Sequence, residues 1–463
     1  MIQLLWFLES DSPIRRYGAE LLSEAVGLKA TFLDRAPTDA TSYVHHGPGG
    51  HPGPHALWIP HDPNGAPPMA PQIIDEGPPW RLDGDILEGT LAFVTDAIHD
   101  GTSSDAFDRH GRLRAAASHL ATRGGVTDPV VNRYVALLER ALARLGAYEP
   151  RPRWPNGARA AIGISHDVDR PDKYAILRAV SGGRVPPPGR LPWFAARAAR
   201  DFAHRLRDPD PNDFWLFAEV VGAEAAHNVR STFLFSAVPA YASYGSTNDV
   251  LYDAAWPHFR REMRRLRGED IELGLHASYN AWRDPSRFVT ERMRLEDLSG
   301  GPIRGLRHHF WQVGPDLPRT LRAHEAAGFD YDSSIAFNDA VGLRRGIALP
   351  YRPWDATEQR ALRTWQLPVI ALDSAACAGA ASAADAIDGV WAGLERVIDG
   401  GGLAVLDWHV RCSHPGNERY RLWGETYVGI LERLSSASGV WVAGLGEIAD
   451  WSAARSRAIA TGP

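Results

Sequence analysis

Two carboxylates, Asp167 and Asp169, follow an apolar run from Ala160 to Ile164. A short apolar run bounded by polar residues is typical of a buried strand. Residues two apart in extended chain point to the same side, so both carboxylates converge on one small volume. Such a pair lets one carboxylate act as a base while the other binds a metal. The alternative is that both Asp side chains cap the following helix or form a turn.

Three further strand-like runs also end in titratable side chains. Repeated strands with polar groups at their ends are expected of a parallel (β/α) barrel, whose site lies at the carboxyl ends of its strands. The three runs are Ile271 to Leu275 before His276, Ile303 to Leu306 before Arg307, His308 and His309, and Leu403 to Leu406 before Asp407, Trp408 and His409.

Together these motifs resemble the polysaccharide deacetylase family, which has the nodulation-type chitooligosaccharide deacetylase domain and is also called carbohydrate esterase family four. The resemblance covers about residues 158 to 450. It implies an α/β fold, a distorted (β/α)7-type barrel with seven strands. It also implies that Asp167 is the catalytic base, that Asp169 binds a metal, and that Ser231 to Phe235 forms the next strand.

The second motif implied by the resemblance is a His, three residues, and a second His, a spacing that places two imidazoles on one metal in a helix or turn. Here His276 is present, but Asn280 stands in the second position. An amide oxygen is a weaker ligand than imidazole for late transition metals. The implied cofactor is a divalent metal, zinc first and cobalt, manganese or nickel as alternatives. Its expected ligands are Asp169, His276 and Asn280, with Ser278 or His309 as further candidates.

The remaining motifs supply the other catalytic candidates. The resemblance implies that Arg307 holds Asp167 ionised through a bidentate pair. It implies that the segment Gly328 to Ser334 supplies an acidic residue beside the site, Asp332, and that His409 gives a proton to the departing nitrogen. Each side chain also has an ordinary interpretation: Arg307 as an ion pair, His409 as a core histidine and Asp332 as a helix cap.

Aromatic side chains near these motifs are candidates for sugar binding. The sequence contains 16 tryptophans, and aromatic rings stack on the apolar faces of sugars. We expect Trp311 and Trp408, with His309, to contact the substrate. Most of the other tryptophans are expected in the core.

The predicted activity is hydrolysis of a carbon–nitrogen bond in a linear amide. The expected reaction removes N-acetyl (or O-acetyl) groups from an amino-sugar-containing polysaccharide or its biosynthetic precursor. Two alternatives remain. One is a metal-independent hydrolase of cyclic amides or imides with the same fold, and the other is a non-catalytic protein that binds or assembles glycans.

Composition limits the class of protein. At 463 residues, the chain is long enough for two or more domains. Its formal net charge of -6 gives no indication of nucleic-acid binding. Two cysteines, Cys377 and Cys412, imply no disulfide framework. Residues Met1 to Ser10 lack the features of a signal peptide, and no apolar run is long enough for a membrane span. We therefore expect a cytoplasmic protein.

The first 150 residues are expected to form a smaller accessory α/β domain. Helices are predicted at Pro13 to Val26 and Asn132 to Leu145, and a loop at His45 to Pro71, which is rich in Pro, Gly and His. The stretch Asp108 to Arg112 resembles part of an accessory domain that precedes some deacetylase domains of surface-polysaccharide gene products. It serves here only to mark a boundary.

A linker from Pro150 to Gly157 precedes the barrel, and residues 171–230 form an insertion that a simple barrel does not need. Residues 194–207 of the insertion predict an amphipathic basic helix. Such a helix either packs against the domain with a solvated polar face, or touches an anionic membrane surface or a lipid-linked sugar. Its apolar positions are Phe194, Ala198, Phe202 and Leu206, and its arginines are Arg197, Arg200, Arg205 and Arg207.

Overall fold

Two largely parallel sheets, formed by separate stretches of the chain, organise the computed structural model, which describes residues 3–49, 52–62, 65–146, 148, 151–208 and 213–461. The N-terminal unit contains β1 Gln3–Leu8, α1 Pro13–Ala25, β2 Lys29–Phe32, β3 Tyr43–Gly47, β4 Ala56–Pro60, β5 Ile73–Ile74, β6 Trp80–Leu82, α2 Ile86–Val94 and α3 Val130–Arg144. Its strand order is β2-β1-β3-β4-β6-β5, with only the β5–β6 pairing antiparallel.

Both helices predicted in this unit are present as α1 and α3. The loop predicted at His45 to Pro71 is wrong in part, because β3 and β4 lie in or overlap this stretch. Residues 50, 51, 63 and 64 lie outside the described residues. The histidines of β3 are tolerated in a buried strand because each has a carboxylate partner: His45 contacts Glu9 and His46 contacts Asp85.

The second unit begins with a strand that is buried along its whole length, β7. Its strands are β7 Ala160–Val168, β8 Thr232–Phe235, β9 Glu272–Ala277, β10 Gly305–His308, β11 Tyr331–Asp332, β12 Trp354–Asp355, β13 Arg360–Ala361, β14 Trp365–Gln366, β15 Val369–Leu372, β16 Leu403–Asp407 and β17 Val440–Ala443. Its helices are α4 Ala175–Ser181, α5 Leu191–Arg207, α6 Phe217–Ala226, α7 Pro257–Gly268, α8 Ser286–Ser299, α9 Leu317–Ala326, α10 Asp373–Ala376, α11 Ala383–Asp399, α12 Arg421–Ser436 and α13 Leu445–Thr461.

The large sheet has the order β14-β11-β10-β9-β8-β7-β16-β15, and every pairing in it is parallel. Strand β17 pairs with the first half of β7, on the side where β8 pairs with the second half. The sheet is curled, and within the described residues no hydrogen-bonded ladder joins its two end strands, β14 and β15. It therefore forms an open, distorted (β/α) barrel. The predicted fold class, an α/β barrel preceded by an α/β unit, is confirmed, whereas the exact domain boundaries stay predictions. Pro150 of the linker lies outside the described residues.

Packing around β7 fixes the position of its two carboxylates. Ile162 and Ile164 are completely buried, and burial of such a side chain contributes about 1.5–3 kcal/mol. Between them, Gly163 allows a close approach: a β-carbon there would lie 2.9 Å from Leu445 and 3.1 Å from Val405. A larger residue would push β7 away from β16 and α13 and displace the end of the strand.

The insertion contributes α4, α5 and α6, and α5 contains the predicted basic helix. Phe194 is buried, whereas Phe202 and Leu206 are 56% and 71% exposed. The apolar side of α5 therefore packs against the domain in its first half, through Phe194 and Ala198, and is exposed in its second half. Among the described residues, no helix combines the length and the apolar character needed to cross a membrane.

Candidate active site

The side chains selected from the sequence lie at the carboxyl ends of adjacent strands. The register places Asp167 of β7 opposite Leu234 of β8. On the next strands, His276 of β9 is opposite Arg307 of β10. Parallel strands bring their carboxyl ends to the same edge of a sheet, and so the curled sheet gathers these groups at one end of the barrel.

Three side chains form a candidate metal centre: Asp169, His276 and His309. Their ligand-type atoms all lie within 4.8 Å of one another. Oδ1 of Asp169 is 3.1 Å from Nε2 of His276 and 3.4 Å from Nε2 of His309. The two imidazoles are buried, at 1% and 5% exposure.

The hydrogen-bond pattern of this cluster fits a divalent metal. Oδ1 of Asp169 and Nε2 of His276 are buried and have no hydrogen-bond partner among the described residues, although they lie close together. Buried polar atoms without partners are rare because they cost free energy. Two imidazoles and one carboxylate are a ligand set of catalytic zinc sites, and a metal among them would satisfy both orphaned atoms.

Asn280 was predicted to complete this ligand set, but the structure places its side chain elsewhere. Its Oδ1 accepts a hydrogen bond of 3.1 Å from Nε of Arg283 on the exposed surface. The predicted spacing assumed a helix or turn from His276 onward, whereas β9 stays extended through Ala277. Ser278 is occupied too, because both its backbone nitrogen and its hydroxyl donate to Glu291.

The predicted base, Asp167, is held by Arg307, which is fully buried. Nη1 of Arg307 donates to Oδ1 of Asp167 at 3.0 Å and lies 2.7 Å from Oδ1 of Asp407. Nη2 donates to Ser165 and Nε to the carbonyl of Ser333. The expected bidentate pair is therefore replaced by a guanidinium shared between two carboxylates.

Sharing this cation separates the two carboxylates in acidity. Burial raises the pKa of Asp167, but the charges of His276 and Arg307 lower it by more than burial raises it. The pKa of Asp167 is therefore below its ordinary value. The pKa of Asp407 is raised well above its ordinary value, because burial and the charge of Asp167 outweigh Arg307. The ionised form is therefore favoured at Asp167, and the neutral form is favoured at Asp407.

His409 contacts the cluster from the end of β16. Its Nε2 is 2.9 Å from Oδ2 of Asp169, and its Nδ1 is 2.7 Å from Oδ2 of Asp373. Burial lowers the pKa of His409, but Asp373 and Asp169 raise it well above its ordinary value. Asp373 was not among the predicted residues. Its sequence signal is the one used for the other strands, since it directly follows the apolar strand β15.

Asp332, predicted to supply the acid beside the site, belongs to another network. It is fully buried and accepts hydrogen bonds from Gln366, at 2.8 Å, and from Ser334. Burial raises its pKa. The acid that contacts His409 is Asp373 instead, because β15 lies next to β16 whereas β11 lies beyond β10.

The two tryptophans expected to bind sugar are both buried. Trp408 is 0% exposed, donates from Nε1 to the carbonyl of Trp423 and packs near Tyr427. Its ring offers no free face to a substrate in this structure. Trp311 is 6% exposed and lies under the guanidinium of Arg307 at 5.0 Å. His309, the third expected contact, lies in the metal cluster.

The loop that carries His309 is held by a segment of the N-terminal unit. Phe310 and Trp311 both have positive φ angles, 59° and 55°, a strained conformation for bulky residues. Nη1 of Arg112 donates to the carbonyl of Phe310 at 3.2 Å. Nδ1 of His110 lies 2.8 Å from the hydroxyl of Tyr279. The stretch predicted only as a boundary marker therefore forms one wall of the site.

Asp249 connects this wall to the metal cluster, and sequence analysis did not identify it. Its Oδ1 accepts a hydrogen bond of 2.7 Å from the backbone nitrogen of Tyr279 and lies 3.7 Å from Nδ1 of His309. It follows no apolar strand, so its position in the site depends on the loop after β8.

Comparisons with known proteins find similarity to solved structures. No protein-family model matches the sequence, and no curated protein matches it. A structure from Mycobacterium smegmatis, assigned provisionally as a polysaccharide deacetylase, is 19% identical over 65% of this chain and 93% of that chain, with a TM-score of 0.43. Puue allantoinase is 15% identical over 67% and 95%, with a TM-score of 0.42.

A second provisional polysaccharide deacetylase, from Pseudomonas aeruginosa, is 15% identical over 67% of this chain and 96% of that chain, with a TM-score of 0.42. The similar solved structures thus include polysaccharide deacetylases. The fold of this chain is defined by its own strand order.

Proposed function

We propose that this protein is a metal-dependent hydrolase that removes N-acetyl (or O-acetyl) groups from an amino-sugar-containing polysaccharide or its precursor. The observation that supports this proposal is that two side chains suited to act as base and acid, Asp167 and His409, both lie next to the cluster of Asp169, His276 and His309. Oδ2 of Asp167 is 3.6 Å from His276, and Nε2 of His409 is 2.9 Å from Asp169.

Asp169, His276 and His309 are the residues proposed to hold the metal. When bound there, a divalent ion supplies Lewis acidity, which polarises a carbonyl group and acidifies water. Zinc is proposed because of the two imidazoles and one carboxylate, with cobalt, manganese or nickel as alternatives. His309 replaces Asn280 in this ligand set.

Asp167 takes the proton of the water that attacks the acetyl carbonyl. Arg307 keeps this carboxylate ionised before the reaction and limits its rotation, because the guanidinium is itself fixed by Ser165 and Ser333. General-base assistance of this kind contributes about 10²- to 10⁴-fold in rate.

His409 gives a proton to the sugar nitrogen or oxygen as its bond to the acyl carbon breaks. Asp373 accepts a hydrogen bond from Nδ1 of His409, which leaves Nε2 directed at the cluster. The charge of Asp373 favours the imidazolium form of His409, which is the form that can give a proton to the leaving group. Transfer of that proton avoids expulsion of an unstable amide or alkoxide anion.

Metal content and turnover together test this function. Protein purified without chelator is analysed for metals, and acetate release is measured from acetylated chitooligosaccharides and acetylated xylan. We expect bound metal, acetate release, and loss of turnover after chelation that zinc restores. The matched variants are His309→Gln, expected inactive, and Asn280→Gln, expected active.

Other outcomes identify the alternative functions. A metal-free preparation that hydrolyses cyclic amides and ignores chelators would favour the metal-independent hydrolase. Saturable glycan binding with no acetate release from any acetylated sugar would favour a non-catalytic glycan-binding protein.

A further inference from the structure

A cavity lined by arginines lies directly beside the candidate active site. Its volume is about 720 Å³, and its wall includes Arg170, Arg197, Arg200 and Arg419. We call it the arginine groove. Arg170 immediately follows Asp169 in the chain, and so the groove begins where the metal cluster ends.

Most acidic residues of the groove already have cationic partners. Lys173 pairs with Asp208 at 2.6 Å and with Asp213 at 3.0 Å. Arg197 pairs with Asp201 at 3.1 Å. The fourth lining acid, Glu418, lies 3.3 Å from Arg421, outside the groove lining.

Three lining arginines remain without a carboxylate partner in the described part of the chain: Arg170, Arg200 and Arg419. Arg170 lies over the ring of Phe214 at 5.9 Å. Arg419 lies over the ring of Tyr420 at 5.7 Å. Several uncompensated cations around one concave surface raise the local concentration of anions.

Arg411 lies next to the metal cluster and shares a neighbour, Tyr420, with Arg419 of the groove. Its Nη1 is 4.0 Å from Oδ2 of Asp169, and its guanidinium lies 5.8 Å from the Tyr420 ring that Arg419 also covers. Its Nε and Nη1 are buried and have no hydrogen-bond partner among the described residues. Buried donors without acceptors cost free energy, which a bound oxyanion would recover.

We propose that the arginine groove and Arg411 bind a phosphate or diphosphate group of the substrate, next to the acetyl group that is removed. The forked guanidinium matches phosphate oxygens through paired hydrogen bonds. The three lining arginines without a carboxylate partner, together with Arg411, carry more positive charge than one carboxylate would neutralise, whereas a diphosphate presents more charge and more oxygens. The assignment of the acetylated sugar rests on the proposed function, but anion binding does not.

Binding of pyrophosphate tests the groove without requiring turnover. Calorimetric titrations are made without added metal, so that chelation by pyrophosphate does not contribute. Arg170→Gln and Arg419→Gln should each weaken binding about tenfold or more. The control is Arg230→Gln, because Arg230 is exposed, pairs with Asp270 and precedes β8 at the opposite end of the barrel. It should bind like wild type.

The absence of saturable binding, or equal binding by all four proteins, would overturn the proposal. Gln removes the positive charge, and each substituted position is exposed or half-buried. Circular dichroism of each variant verifies that the fold is retained.

Turnover then separates this proposal from the proposed function. An N-acetylated sugar phosphate should be hydrolysed with kcat/KM about tenfold above that of the unphosphorylated sugar, and Arg170→Gln should remove the difference. If pyrophosphate binds but no acetylated sugar reacts, the proposed function is wrong and anion binding by the arginine groove is supported. If both sugars react equally and pyrophosphate does not bind, anion binding by the groove is wrong and the proposed function is supported.

A second substitution distinguishes a lipid carrier of the phosphorylated sugar from a soluble carrier. Phe202 and Leu206, the exposed apolar residues of α5, lie on the helix that carries Arg197 and Arg200. The double variant Phe202→Ser/Leu206→Ser should reduce turnover of a lipid-linked diphosphate sugar in vesicles if the lipid is the carrier. Unchanged turnover in vesicles, together with hydrolysis of a nucleoside diphosphate sugar, would assign a soluble carrier to the same groove.

Discussion

Oδ2 of Asp373 accepts hydrogen bonds from both the backbone nitrogen and Nδ1 of His409, at 2.8 and 2.7 Å. This double contact fixes the orientation of the imidazole and favours its protonated form. It also joins the ends of β15 and β16, the pair at one edge of the barrel sheet. The acidity of His409 therefore depends on a residue 36 positions away in the chain.

Asp373→Asn should lower the pKa of His409, because it removes a carboxylate charge that raises this pKa. The rate then falls at a lower pH on the alkaline side of the profile, and loss of the oriented acid costs about 10²- to 10⁴-fold. The measurement is kcat against pH. Asp332→Asn, a buried acid outside the site, is the control and should leave the alkaline limb in place. An unmoved limb in Asp373→Asn would contradict the assigned role of Asp373.

Asp167 and Asp407 share Arg307 but should respond differently to the same substitution. Asp167→Asn removes the base and should cost about 10²- to 10⁴-fold in kcat with metal content unchanged. Burial raises the pKa of Asp407 and favours its neutral form, which Asn resembles, so Asp407→Asn should retain kcat within about tenfold. Both variants are assayed under saturating metal. Equal losses would show that Arg307 does not separate the two carboxylates in acidity.

His309 and Asn280 give opposite expectations for metal binding. His309→Gln removes an imidazole that is proposed to bind the metal. Loss of a residue that only hydrogen-bonds to a metal ligand weakens metal binding about 10- to 100-fold, and the loss in His309→Gln should be larger. Asn280→His should leave the affinity near that of wild type, because this side chain contacts Arg283 on the surface. Competition titrations with a chromophoric chelator measure both. Tighter binding by Asn280→His would restore Asn280 to the ligand set.

Arg112→Ala should disturb the metal cluster from the N-terminal unit. It removes the hydrogen bonds to the carbonyl of Phe310 and to Asn338, which together stabilise the strained loop by about 1–3 kcal/mol. We expect a lower melting temperature and about tenfold weaker metal binding. Arg114→Ala, two residues away and exposed, is the control. If both variants bind metal like wild type, the N-terminal segment does not position His309.

Glu291 should make stability depend on pH. Burial raises the pKa of Glu291 from 4.5 to about 7, although its hydrogen bonds from Ser278 lower it in part. The folded state therefore retains the proton, and stability is highest below pH 4.5 and falls as the pH rises toward 7. The loss is about 3 kcal/mol.

Glu291→Gln should remove this component of the pH dependence, because Gln is neutral and still accepts a hydrogen bond from Ser278. Urea unfolding at pH 4.5 and 7.5 measures the difference between the two proteins. The control is Glu432→Gln, an exposed position on α12. Parallel stability curves for Glu291→Gln and wild type would mean that Glu291 is ionised in the folded protein.

Local patterns in the sequence determined the parts of the site that belong to strand ends. Apolar runs followed by titratable residues predicted the positions of Asp167, Asp169, His276, Arg307 and His409, and the barrel places all five at one edge. These predictions succeeded because the end of a buried strand depends mainly on its own residues and on the parallel arrangement of the sheet.

Only the tertiary structure decided which side chains complete the site. It placed His309, and not Asn280, beside Asp169 and His276, because β9 remains extended where a helical spacing was assumed. It placed Asp373 against His409 and Asp332 against Gln366 and Ser334, because the order of the strands within the sheet differs from their order in the sequence. It also brought Arg112 across from the N-terminal unit. Contacts between distant segments depend on packing of the whole chain, and no local spacing of residues specifies them.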